Sequence, residues 1–298
     1  MGELNDILHD LESSLGPLSG EPTALEGGIT NRNYRVTLGG IDYVLRRPGK
    51  DTSLLGIDRD VERVANQAAA GLGLAPAVVA CVGDCLITRF IPCRRVTSAE
   101  LAAAVEEVAP ALRAFHDSTI SLPARFWVPD LLGAYAKVVL ARGGEPGEDY
   151  ARAVETAARI EAVLPLREPR PCHNDLLAGN IIRAESGARV MIVDWEYAGM
   201  GDPRFDLGNL SVNNGFDEDD DERLLHAYHG APPSAAARAA LKLMRVLSDA
   251  REGAWGVVQG TISELDFDFG RYAREHFGRL AATVALPDFE EWLAAAGG

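Results

Sequence analysis

The run His173-Asn174-Asp175-Leu176-Leu177-Ala178-Gly179-Asn180, with Asp194 fourteen residues after Asn180, restricts the fold of this chain more than any other feature. Asp194 closes the apolar run Val190-Met191-Ile192-Val193. Asn180 to Arg183 and Arg189 to Val193 read as two strands, with Ser186-Gly187 as their turn. A loop then supplies Asp175 and Asn180, a strand end supplies Asp194, and the three polar groups can converge on one point.

Phosphoryl transfer calls for this set of groups. One carboxylate orients the attacking hydroxyl and accepts its proton. A second carboxylate and an amide oxygen hold a divalent ion against the phosphates. Each piece alone is weak; an Asp, an Asn five residues on and an Asp at a strand end are specific together. A metal-hydrolase site on His173 and Asp175 would need further His residues nearby, and the sequence has none there. His173 is expected to brace the loop by hydrogen bonding.

Around this centre the chain changes character. Leu4, Leu8, Leu11 and Leu15 fall on one face of a helix over 4–15. Asn33 to Leu38 and Ile41 to Arg46 read as strands about the Gly39-Gly40 turn, with Pro48-Gly49 closing the hairpin. Asp58 to Ala70 has helical composition. Ala77 to Val82 and Leu86 to Phe90 read as two more strands. From Ser98, placed as the cap of a helix through His116, helices dominate: Tyr135 to Leu140, Asp149 to Val163 and Pro233 to Val258. The expected architecture is α+β and bilobal. A β-rich N-lobe with one inserted helix occupies 1–92, and a mainly helical C-lobe occupies 93–298, divided near Pro92 to Thr97. The acidic run Asp217 to Glu222 lacks the glycine and spacing of an EF-hand. It reads as the start of the helix carrying Leu224-Leu225, where acids favour the positive end of the dipole.

Composition excludes several classes of partner. Asp and Glu outnumber Lys and Arg by 44 to 29, for a formal charge of −15. Such a surface repels nucleic acid and anionic lipid and attracts a cation, or it simply keeps the protein soluble. Cys81, Cys85, Cys93 and Cys172 have neither zinc-site spacing nor a His cluster, and fit a reduced cytoplasmic protein. No stretch approaches 18 consecutive apolar residues, so membrane insertion is not expected, and Met1 to Ser14 does not read as a signal peptide. An oligomeric state is not fixed by any of this, and a homodimer is compatible with it.

The central motif continues through Ile192-Val193-Asp194-Trp195-Glu196-Tyr197-Ala198-Gly199 and Asp202-Pro203-Arg204-Phe205-Asp206-Leu207. In these runs the chain resembles the choline/ethanolamine kinase family, which is grouped with the aminoglycoside phosphotransferases and has a protein-kinase-like fold. The likeness spans nearly the whole chain. Gly27-Gly28-Ile29-Thr30-Asn31 resembles the family's nucleotide loop, Val44-Leu45-Arg46 its phosphate-contacting strand, and Glu62 its helix acid. Phe90-Ile91-Pro92 resembles its hinge. Trp255-Gly256 through Gln259, with Asp266 to Phe269 and Tyr272, resembles its C-terminal helix pair.

The resemblance implies a magnesium-dependent kinase that moves the γ-phosphoryl group of ATP to a small cationic alcohol, choline foremost, or ethanolamine. Asp175 would be the base, and Asn180 and Asp194 would hold magnesium. Arg46, directed by Glu62, would meet the phosphates, as would the loop of Gly28, Thr30 and Asn31. Taken alone, that loop is equally a hairpin turn. Backbone groups of Phe90 and Ile91 would pair with adenine. Asp206 would brace the catalytic loop. A quaternary ammonium is held by aromatic faces and carboxylates, which points to Trp255, Phe267, Tyr272 and Tyr197, with Glu196 for charge, although aromatics at helical spacing equally build cores. Where family members carry a second Trp, this chain has Glu252, which favours a primary amine or a larger cation. An aminoglycoside or peptide-antibiotic phosphotransferase, a thiamine kinase and a non-catalytic nucleotide-binding module stay open as other readings.

Overall fold

A computed structural model of the protein describes residues 2–25, 31–185 and 190–297. Its first part is one antiparallel sheet with a helix on each side of the sequence's central hairpin. α1 (Gly2–Leu15) buries Leu8 and Leu11 against Val36, Leu38, Leu45 and Ile87, which makes a small core of the sheet's own. The strands are β1 (Thr23–Leu25), β2 (Asn31–Leu38), β3 (Ile41–Pro48), β4 (Val78–Val82) and β5 (Cys85–Arg89), in the order β1-β2-β3-β5-β4. Between β3 and β4 lies α2 (Arg59–Gly71), whose cap Asp58 accepts from the amides of Asp60 and Val61. The central hairpin runs two residues further than the sequence suggests, because Asn31 and Pro48 still face each other at its open end.

After Pro92 the chain enters β6 (Cys93–Arg95), which pairs with the strand that follows Asn180. The helix expected from Ser98 to His116 is two helices, α3 (Ser98–Ala102) and α4 (Val105–His116). Thr97, not Ser98, caps the first, in a reciprocal box with Glu100. The break falls at Ala103-Ala104, in an alanine run that carries no stop signal. α5 (Val128–Ala141) starts earlier than the expected Tyr135, with Pro129 in its first turn. α6 (Glu148–Val163) follows.

The region of the His173–Asp194 motif is built from short strands: β7 (Arg170–Cys172), β8 (Ile181–Ala184), β9 (Val190–Ile192) and β10 (Gly199–Gly201). They form a sheet β6-β8-β9 and a pair β10-β7. The turn assigned to Ser186-Gly187 lies outside the described residues. α7 (Pro203–Asn213) and α8 (Glu218–His229) come next; Asp217 caps α8, and four acids fill its first turn. The 28-residue α9 (Ala235–Ile262) crosses the whole helical part and touches α5, α6, α7 and the last two helices, α10 (Phe269–Val284) and α11 (Asp288–Gly297).

Two larger cores hold this part together. α2 belongs to one of them: Val61, Ala65 and Ala69 pack with Leu101, Val105 and Trp195. The inserted helix is therefore fixed to the helical part, while the sheet keeps its separate core.

Candidate active site

The loop from His173 to Asn180 takes its shape from α7. Asp206 is fully buried; its two oxygens accept from the amides of His173 (2.8 Å) and Asn174 (2.6 Å). One helical turn on, Asn209 accepts from the Leu176 amide (2.6 Å), and Asn214 accepts from Ala178 (2.8 Å) and donates to the Leu176 carbonyl (3.0 Å). Asp206 also bonds His116 Nε2 at 2.9 Å. Burial pushes the Asp206 carboxyl up. The His116 hydrogen bond, the His116 and His173 rings and the His173 amide outweigh that and hold it below its ordinary value. Sequence reasoning gave Asp206 a bracing place but missed His116, Asn209 and Asn214. The signal for Asn209 was there, since i and i+3 on a helix share a face.

The loop's chirality is also set locally. Asn174 and Asp194 take left-handed backbone conformations (φ 68° and 69°), which Asn and Asp tolerate better than most residues. His173 Nε2 bonds the Val193 carbonyl (3.0 Å), tying the loop to the strand end that carries Asp194. Burial holds His173 below its ordinary pKa.

Asp175, Asn180 and Asp194 line one cavity of about 570 Å³. Asn180 Nδ2 donates to the Asp175 carbonyl (2.9 Å) and to its Oδ2 (3.1 Å). Burial does most to push the Asp175 carboxyl up, Arg251 opposes it, and Glu252, Asp194 and Glu196 add to the rise, to about 7.

Arg46 of β3 donates to Glu62 of α2 (2.6 Å) and to Asp194. Burial disfavours its charge, but Asp194, Glu62 and Glu196 outweigh that and keep it protonated. Arg59, which sequence reasoning passed over, joins Glu62 (2.6 Å), Glu196 (3.1 Å) and Asn31 (3.2 Å). Asn31 donates to the same Glu196 oxygen (2.9 Å). Glu196, expected beside the acceptor cation, is thus turned toward the arginines of the sheet side. Gly28 and Thr30 lie outside the described residues. At the hinge, the Phe90 amide donates to the Asp42 carbonyl (3.1 Å) and its ring sits under Arg35, so this N–H is spent within the sheet. Phe90 and Ile91 still line the cavity.

Its other end is formed by α9 and α10. Trp255, Tyr272, Tyr197 and Glu252 line it, with Arg251. Trp255 Nε1 donates to the Tyr197 hydroxyl (2.8 Å), and the Tyr272 hydroxyl donates to Glu252 Oε2 (2.7 Å). Phe267, expected here, is 42% exposed and packs tilted against Phe269 and edge-on to Tyr272, and it does not line the cavity. Arg251, adjacent to Glu252, gave no signal in the sequence because its contacts are made across the fold.

A sheet over a helical body, with paired acids and an amide at their junction, defines a class: a phosphotransferase of protein-kinase-like fold. A model of the phosphotransferase enzyme family matches residues 21–243. A solved choline/ethanolamine kinase family protein from Mesorhizobium loti is 30% identical, covers 99% of both chains and superposes with a TM-score of 0.83. Probable choline kinase 1 of Arabidopsis thaliana is 25% identical over 91% of this chain and 87% of its own. A structure of LicA in complex with AMP is 26% identical over 94% of this chain and 97% of its own, with a TM-score of 0.75. The chain belongs to the phosphotransferase enzyme family and, within it, to the choline/ethanolamine kinase family.

Proposed function

We propose that the protein transfers the γ-phosphoryl group of ATP, with magnesium, to the hydroxyl of a small cationic alcohol of the choline and ethanolamine kind. One observation carries this reading. A single cavity has Asp175, Asn180 and Asp194 at its middle, Arg46 and strand residues at one end, and aromatic rings with Glu252 at the other. The nucleotide would take the strand end, against Val44, Leu86 and Ile182.

The residues present fit magnesium. The donors are oxygens, as a hard cation requires. The amide nitrogen of Asn180 is committed to Asp175, which turns its oxygen the other way. Of the two Asp194 oxygens, Arg46 bonds Oδ1. Asn180 and Asp194 would hold magnesium, which would supply charge neutralisation at the phosphates. Arg46, kept protonated and directed by Glu62, meets the phosphate oxygens with a planar fork. Asp175, with its carboxyl raised toward neutrality, orients the acceptor hydroxyl and takes its proton. The AMP complex of a relative and the family match support the nucleotide half of this reading. We also place the protein in the cytoplasm, in keeping with four cysteines that form no disulfide among the described residues. Among the described residues, no helix is long and apolar enough to cross a membrane.

The test is ADP release with choline, ethanolamine, thiamine and several aminoglycosides as acceptors. Turnover with an amino alcohol is expected; turnover with the aminoglycosides alone would overturn the reading. Asp175→Ala lowers kcat by about 100- to 10,000-fold while ATP still binds. A variant that keeps most of its activity removes Asp175 from the role of base.

A further inference from the structure

The acceptor end of the cavity already holds a cation. Arg251 of α9 is 2% exposed, and its guanidinium carbon lies 4.3 Å from the centre of the Tyr197 ring. Its Nη1 donates to Glu252 Oε1 (2.6 Å) and to Asp175 Oδ1 (3.2 Å). An aromatic face flanked by two carboxylates is the arrangement that captures an ammonium ligand. Here the protein's own side chain occupies it. The Trp255 ring is packed by Tyr272 and Phe269 at steep angles of 66° and 68°, and Trp255 is itself buried.

Glu252, in contrast, has binding capacity left. A carboxylate offers about four acceptor directions. Arg251 takes one and the Tyr272 hydroxyl another. The group lines the cavity, and Arg251 holds its pKa low despite burial, with help from His276 and the Tyr272 hydrogen bond. An ammonium with N–H groups can spend them on Glu252. A quaternary ammonium has none to give, and Arg251 already sits on the Tyr197 face.

We propose that Arg251 and Glu252 together select acceptors whose ammonium bears at least one N–H group, primary to tertiary amino alcohols, against quaternary ones. Glu252 binds the ammonium; Arg251 is a positioning residue that fixes Glu252 and covers the Tyr197 ring. This rests on reading the helical end of the cavity as the acceptor site.

The experiment is a methylation series on the wild-type protein: kcat and KM for ethanolamine and its mono-, di- and trimethyl derivatives at constant ATP and magnesium. A charge-assisted hydrogen bond lost at the last methylation predicts a fall in kcat/KM of about 10- to 100-fold, carried mainly by KM. Glu252→Gln should flatten the series, lowering kcat/KM for both ends but about tenfold more for ethanolamine than for choline, so that the ratio between them shrinks. Its melting temperature, measured alongside, separates this from misfolding, and the wild-type series stands without it. Choline used as well as ethanolamine by the wild-type protein would overturn the selection while leaving the proposed function intact. No turnover with any member would overturn both.

Discussion

Asp206 shows how one side chain sets the geometry of a loop it does not belong to. Its oxygens hold two consecutive amides, and its buried partner His116 fixes their direction. Asp206→Asn replaces one acceptor by a donor facing an amide N–H. It should cost about 2–3 kcal/mol at pH 7, read by chemical denaturation. The sign with pH follows from the depressed pKa. A carboxylate held below its ordinary value stabilises the fold above the unfolded pKa, and that contribution is lost as pH falls through the folded pKa. The gap between wild type and Asp206→Asn should therefore close on acidification below about pH 4; a constant gap down to the acid transition would contradict the assignment. Residue-scale chemistry was readable where it follows chain order, as in Asp175, Asn180 and Asp194. It was hidden where partners come from afar, as in His116, Arg59 and Arg251, since a lone His or Arg looks the same with or without a buried acid across the fold.

At the scale of elements, α7 and α9 approach so closely that a Cβ on Gly208 would lie 2.6 Å from the Cβ of Met244 and 2.7 Å from its backbone carbon. Backbone cannot step aside as a flexible side chain can, so Gly208→Ala must push the helices apart. α7 carries Asp206 and Asn209 on either side of this glycine, so the displacement reaches the catalytic loop. We expect a loss of about 1–3 kcal/mol in stability, with kcat falling more than KM rises. Wild-type kinetics in Gly208→Ala would show that the loop is held independently of this contact. The same closeness explains why α7 escaped the sequence reading. From Phe205 to Val212 every residue is buried, polar ones included, so no amphipathic stripe marks the helix. The hairpin β2–β3 and helices α1, α2 and α6 face solvent on one side and were legible for that reason. The division of α3 from α4 was not, because alanine favours continuation and tertiary packing decides the break.

For the whole molecule, the telling feature is where α2 belongs. Its sequence position places it with the sheet, but its apolar face joins the helical core. Arg46 is then the sheet's ionic reach across the cleft, to Glu62 on α2 and to Asp194 at the end of β9. A nucleotide with magnesium would engage both parts at once, and binding to the folded state alone stabilises it by mass action. At 100 times Kd this amounts to about 2.7 kcal/mol, or a rise of roughly 4 °C in Tm for a chain of this size. On the proposed reading, Asp194 would supply the part of that rise that depends on the metal. In Asp194→Asn the nucleotide alone should still raise Tm, through contacts at the strand end, whereas adding magnesium should contribute nothing further. Arg46 remains paired with Glu62 in that variant, so the sheet keeps its tie to α2. If magnesium raises the Tm of Asp194→Asn as much as that of the wild type, the ion is held elsewhere and the cleft works differently from the account given by its oxygen donors.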